Sequence, residues 1–162
     1  MSGKIIAIVI LILFSAYFSA TETAFTAMNK TKLKTMAADG NRKAQKVLAL
    51  EEKYDKLLTT ILIGNNVVNI AMTAIATVLF IALFAASGAA ISTVVITVVV
   101  LVFGEITPKN IAKEAPEAFA MFSAPIISLF MTILTPVNFV FTKWKEFVVR
   151  IFKLGGQDTI TD

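Results

Sequence analysis

The chain has 162 residues, of which 57% are hydrophobic and only 16% charged, and its mean hydropathy is +0.80. A soluble domain of this length is about 45–50% apolar and about 25% charged, so water-soluble enzymes and nucleic-acid binders are disfavoured at once. Cysteine and histidine are both absent, which removes thiol chemistry, disulfides, haem or zinc sites built on those residues, and any histidine proton relay. A metal bound here must use oxygen ligands, which points to a hard cation such as magnesium, calcium or sodium. The net charge of +4 is read first as a report on membrane orientation.

A membrane-crossing helix needs roughly 20 mostly apolar residues. Ile5 to Thr21 is uncharged and the apolar character resumes after Glu22 as far as Met28, which predicts a first span over about 5–28. This run continues well past Ser15-Ala16 and Ser19-Ala20, so it does not read as a cleaved leader. The next stretch, 29–56, carries Lys30, Lys32, Lys34, Arg42, Lys43, Lys46, Lys53 and Lys56. Asn29 can cap a helix, and Asp39-Gly40 divides the stretch into two short helices. They are expected on the cytoplasmic surface with lysines over anionic headgroups, or else as a solvated loop that sets topology.

Leu57 to Gly104 is uncharged throughout, with a natural break at Ser87-Gly88, and predicts spans over about 57–86 and 89–104. Ala118 to Thr142 is a further uncharged segment, interrupted by Pro125 and Pro136. Hydropathy by itself would make four crossings. Charge argues for three, because Lys109 and Lys113 follow the third segment, Lys143, Lys145, Arg150 and Lys153 follow the fourth, and basic loops stay cytoplasmic. The expected fold is therefore an all-α integral membrane protein. It has three transmembrane helices and a bent re-entrant or juxtamembrane belt over 116–153, with the N-terminus outside and the C-terminus cytoplasmic. The transmembrane domain is 1–153, and Leu154-Gly155-Gly156-Gln157-Asp158 reads as the start of a linker over 154–162.

Polar residues at membrane depth are functional candidates. Glu22 and Glu105 are the two carboxylates set in apolar sequence. Ser15, Ser19 and Glu22 fall at i, i+4 and i+7, one helix face, which Thr26 extends. Hydroxyls in membrane helices also bond back to their own backbone or let helices pack closely. Asn65 and Asn69 are four apart on one face, either holding helices together or offering amide oxygens to a cation. From Gly88 to Gly104 is roughly 24 Å of helix, short of a crossing of about 30 Å. Pro108 withholds an N–H and disfavours helical geometry at Thr107. The third helix is therefore expected to unwind near Gly104 and release backbone carbonyls into the layer that holds Ser19, Asn65 and Glu105. Hydroxyls, amides, a carbonyl and a carboxylate suit a magnesium ion, which takes about six oxygens near 2.1 Å, although sodium could use the same atoms.

These residues carry a resemblance. Phe14-Ser15-Ala16-Tyr17-Phe18-Ser19-Ala20-Thr21-Glu22-Thr23-Ala24, Gly64-Asn65-Asn66-Val67-Val68-Asn69 and Gly104-Glu105-Ile106-Thr107-Pro108-Lys109 resemble three ordered motifs of the transmembrane domain of the CorB/CorC and cyclin M magnesium transporters. The resemblance implies a homodimer of three-span subunits in the plasma or inner membrane, and transport of Mg2+, as export coupled to Na+ influx. It assigns hydroxyl ligands to Ser15 and Ser19, an amide oxygen to Asn65 or Asn69, a backbone carbonyl to Gly104 and a carboxylate to Glu105, with Lys109 anchoring the loop or balancing charge. Glu22 joins the set as a second carboxylate for which sodium could compete. The family's paired cytosolic nucleotide-binding domains are missing from these residues, so the expectation is a membrane domain alone.

An alternating-access carrier is the leading reading. A membrane-anchored Mg2+ sensor or scaffold, binding the ion without moving it, uses the same features. A passive cation channel ranks last, since three spans per chain supply few pore-lining faces. An enzyme is not expected, because no nucleophile–base pair or catalytic motif is present.

Overall fold

The computed structural model describes the backbone of residues 1–157 and the side chains of residues 1–153. Among the described residues every regular element is helical. In chain order these are α1 (Ser2–Ala27), α2 (Lys30–Ala38), α3 (Arg42–Glu51), α4 (Tyr54–Phe84), α5 (Gly88–Val99), α6 (Thr107–Glu114), α7 (Pro116–Ile133) and α8 (Thr135–Gln157). Three unbroken runs are long and apolar enough to cross a membrane: Ser2–Ala27, Tyr54–Glu114 and Pro116–Ile133. The middle run folds back on itself and so supplies two arms.

α1 is the central helix. Its face of Ser15, Phe18, Ser19, Ala24 and Phe25 is buried, while Ile5, Ile6, Val9, Ile10 and Leu13 stay exposed, as suits lipid contact. The Phe18 ring lies over Gly64 of α4, where a Cβ would stand 2.6 Å from its Cζ, and meets Phe130 of α7 edge-on at 5.3 Å. In lipid such packing holds helices together by dispersion, not by exclusion of water.

The 29–56 stretch folds locally. The Asn29 side chain caps α2 by accepting from Lys32 N–H, and Asn41 caps α3 by accepting from Lys43 and Ala44 N–H. Between them Gly40 adopts φ +94°, and the bonds Gly40 N–H to Ala37 O and Asn41 N–H to Met36 O close a Schellman turn. Leu33, Ala44, Val47 and Leu50 are buried, and α3 packs along α7.

The hairpin between α4 and α5 is one short 3₁₀ turn, Ala85–Ser87. Ala85 takes φ +55°, outside the usual range for a residue with a Cβ. Gly88 permits the turn, because a Cβ there would sit 2.5 Å from the Ile81 Cα. Two backbones meet at this point with no side chain between them.

The third arm corrects an expectation. It does not unwind at Gly104. Val100–Ile106 widens into a π-helical turn and passes directly into α6. Thr107 stays helical (φ −63°, ψ −48°), and its N–H reaches Val102 O five residues back. The reason lies in Pro108. In an α-helix its ring would press on the carbonyl four residues earlier, and widening the turn moves that carbonyl aside without breaking the helix. The arm therefore continues well past Gly104, to Glu114.

α7 and α8 form a bent pair. At the start of α7, Glu117 accepts from Asn29 N–H at the end of α1, while Phe130 lies beside Phe18, half-way along α1. After the bend at Leu134, Asn138 bonds Thr60 and Lys145 reaches Asp55 in the first turn of α4. The segment thus rises along α1 and returns along α4 to the end of the bundle where α2 and α3 lie, the path of a re-entrant belt. Pro125 is accommodated inside α7 and the bend falls next to Pro136 instead. α8 remains helical through Gly155 and Gly156 to Gln157, where a linker was expected to begin at Leu154, and the remainder of that linker, 158–162, lies outside the described residues.

Candidate cation site

Four of the candidate residues meet midway along the bundle. The Ser15 Oγ of α1 lies 3.2 Å from Asn65 Oδ1 and 3.1 Å from Asn69 Oδ1, both on α4. Gly104, in the π turn, closes the group from the third arm. It is buried, and a Cβ on it would stand 2.9 Å from Ser15 Oγ. The spacing of the asparagines explains the convergence, since residues four apart share a helix face and both amides reach the same hydroxyl.

The chemistry of the cluster is unbalanced. Three oxygens crowd together with one hydroxyl proton among them, so Ser15 can donate to only one amide oxygen at a time. Further lone pairs lie on the same elements. Ser19, one turn along α1, is buried with no partner for its Oγ. Pro108 has no N–H to offer the carbonyl of Gly104 or Phe103, whichever register the turn adopts. The Nδ2 groups of Asn65 and Asn69 are donors, but the ends turned toward Ser15 are oxygens, and oxygens gathered in this way favour a cation. Neighbouring ligands of an octahedral ion with bonds of about 2.1 Å are about 3.0 Å apart. The observed spacings are close to that edge, so an ion could take the place of the hydrogen bond, with the Ser15 O–H turned aside and little movement of the oxygens.

The two carboxylates stand differently. Glu105 directly follows Gly104 and is half-buried, and Glu22 lies two turns beyond Ser15, also half-buried. Among the described residues no hydrogen bond ties either side chain to the cluster, and neither has an ion-pair partner within 4 Å. Lys109 makes no ion pair there either. No group of three or more carboxylates able to hold a metal occurs among the described residues, so any ion bound in the cluster rests mainly on neutral oxygens.

One polar residue escaped the sequence reading. Asn138 of α8 is 5% exposed and donates its Nδ2 to Thr60 Oγ1 at 3.1 Å, pinning α8 to α4. The signal was available, because an asparagine inside the uncharged 118–142 stretch needs a partner just as Asn65 does.

Residues 6–161 match the cyclin M transmembrane N-terminal domain. Among similar proteins, a UPF0053 protein of Haemophilus influenzae is 41% identical over 95% of this chain and 37% of its own length. The UPF0053 inner membrane protein YfjD of Escherichia coli K12 is 38% identical over 85% of this chain and 32% of its own. The polyamine export protein of the same organism is 35% identical over 95% and 37%. This chain thus spans about a third of the length of these curated relatives. That family is one of membrane proteins. With its motifs, its helical arms and a match along nearly its whole length, the chain belongs to the cyclin M transmembrane N-terminal domain family.

Proposed function

We propose that this domain carries Mg2+ across the membrane by alternating access, as export driven by Na+ influx. The observation that supports it is the acceptor-rich cluster of Ser15, Asn65, Asn69 and Gly104, whose oxygen spacing suits a small octahedral ion. In this reading Ser15, Asn65 or Asn69, and the Gly104 carbonyl hold the ion, and Ser19 adds a hydroxyl. Glu105 supplies the carboxylate as the ion enters, and Glu22 offers Na+ a competing position. The π turn is the moving part. Migration of its extra residue along the arm re-aims Glu105 relative to the cluster while keeping the carbonyl of Gly104 clear of the Pro108 ring. A homodimer would cover the shallow recess of about 410 Å³ lined by Asn66, Asn69, Ile70, Thr73 and Ala74.

A second cargo is favoured by one observation. The polyamine export protein of Escherichia coli is among the similar sequences, and an alkylammonium N–H would donate to the same neutral oxygens. Proteoliposomes holding the purified chain and a magnesium-sensitive dye separate the readings. Saturable, Na+-dependent Mg2+ flux supports the proposal. Flux of a labelled diamine without Mg2+ flux supports the second cargo. Saturable binding with no flux of either supports the Mg2+ sensor and overturns the carrier.

A further inference from the structure

We propose that the recess between the first turns of α4 and the α7–α8 bend holds the headgroup of an anionic, hydroxyl-bearing phospholipid. This cavity of about 310 Å³ is lined by Lys53, Lys56, Met131, Thr135 and Asn138 among others, and an adjoining one of about 430 Å³ shares Lys56 and Asn138 with it. It lies where α4 changes from charged to uncharged sequence, at Lys56-Leu57, which is the depth of the headgroup layer.

Two features select the ligand. First, among the described residues Lys53 and Lys56 have no carboxylate within 4 Å, while the acid at the rim, Asp55, is paired with Lys145. Two uncompensated ammonium groups at this depth call for a phosphate. Second, the hydroxyls of Thr132, Thr135 and Thr142, which line the recess, all donate to carbonyls of their own helices, so they offer a guest lone pairs and favour one that brings donors. A phosphodiester has no O–H of its own, so that donor is a headgroup hydroxyl. Phe139 beside the recess and Val140 after it are exposed, giving acyl chains an apolar landing.

Native mass spectrometry of the purified full chain with phosphatidylglycerol, phosphatidylcholine or inorganic phosphate tests this. Expected is one phosphatidylglycerol retained in preference to phosphatidylcholine, with the preference reduced about tenfold or more in the double variant Lys53→Gln, Lys56→Gln, given the attraction of each lysine at an anionic surface. The control pair Lys43→Gln, Lys46→Gln, which removes the same charge from α3, should keep it. Equal phosphatidylglycerol retention by both double variants would overturn the site. So would binding of inorganic phosphate that displaces the lipid at equal concentration, or indifference between the two lipids in the unmodified chain. Circular dichroism of each variant confirms that lost binding is not lost fold.

Discussion

Two glycines on the same helical arm make opposite use of having no side chain. Gly88 lets α5 meet the backbone of α4, with a missing Cβ that would fall 2.5 Å from main-chain atoms of Ile81. Gly104 lets the π turn meet a side-chain hydroxyl, Ser15 Oγ, at 2.9 Å from the same hypothetical atom. Around Gly88 the neighbours are main-chain atoms of Phe80 and Ile81 that cannot yield. Around Gly104 the nearest atom is the Ser15 hydroxyl oxygen, itself beside two amide oxygens. Close approach at one end of the arm fastens the fold, and at the other end it assembles a polar site that folding does not need. A glycine's role is therefore read from what its missing side chain would strike.

The contrast breaks most sharply at the cluster. Ser15→Ala and Glu105→Gln are each expected to abolish Mg2+ flux in liposomes, a loss of more than about tenfold, while gel filtration shows the same oligomer as the unmodified chain. Unchanged flux in Glu105→Gln would remove that residue from the ion path. Next in size is Gly88→Ala. The added methyl must displace main chain, and overpacking of this kind costs about 1–3 kcal/mol. Thermal denaturation should show the loss, with flux per folded molecule retained. Gly64→Ala presses on the Phe18 ring instead, 2.6 Å from its tip. A ring can turn aside, so the cost should lie near the lower end of the same range, about 1 kcal/mol. The smallest effect is expected from Asn41→Ala, which removes the cap of α3 and about 1 kcal/mol of stability without touching either glycine. Chemical denaturation in detergent measures it.

The parts of the molecule legible in sequence are those decided locally. The two helices of 29–56 follow from Asn29 and Gly40, whose side chain and φ angle set the first start and the division, while the Asn41 cap of the second helix was not singled out in the sequence. The hairpin near Gly88 was also readable, and four-residue spacing put Asn65 and Asn69 on one face whatever lies opposite, but counting depth along the helices placed Ser19 in their layer where the hydrogen bonds bring Ser15. The π turn was not. Proline chemistry announces that the α register cannot continue undisturbed at Pro108, but the choice between unwinding and widening depends on the packing of Gly104 against Ser15, a contact made across the bundle. The bend of the belt was likewise settled by contacts. Pro125 sits in an intact helix, and the turn falls where Asn138 can reach Thr60. Proximity of Glu22 to the cluster was inferred from helix periodicity, which gives direction but leaves it two turns away along the axis.

The most direct test of the cluster's role compares Gly104→Ala with Gly88→Ala, measuring Mg2+ flux and melting temperature on the same purified samples. Expected is a loss of flux in Gly104→Ala with melting little changed, and the reverse pattern in Gly88→Ala. Full flux in Gly104→Ala, with its methyl forced against Ser15, would contradict the claim that the ion passes through these oxygens.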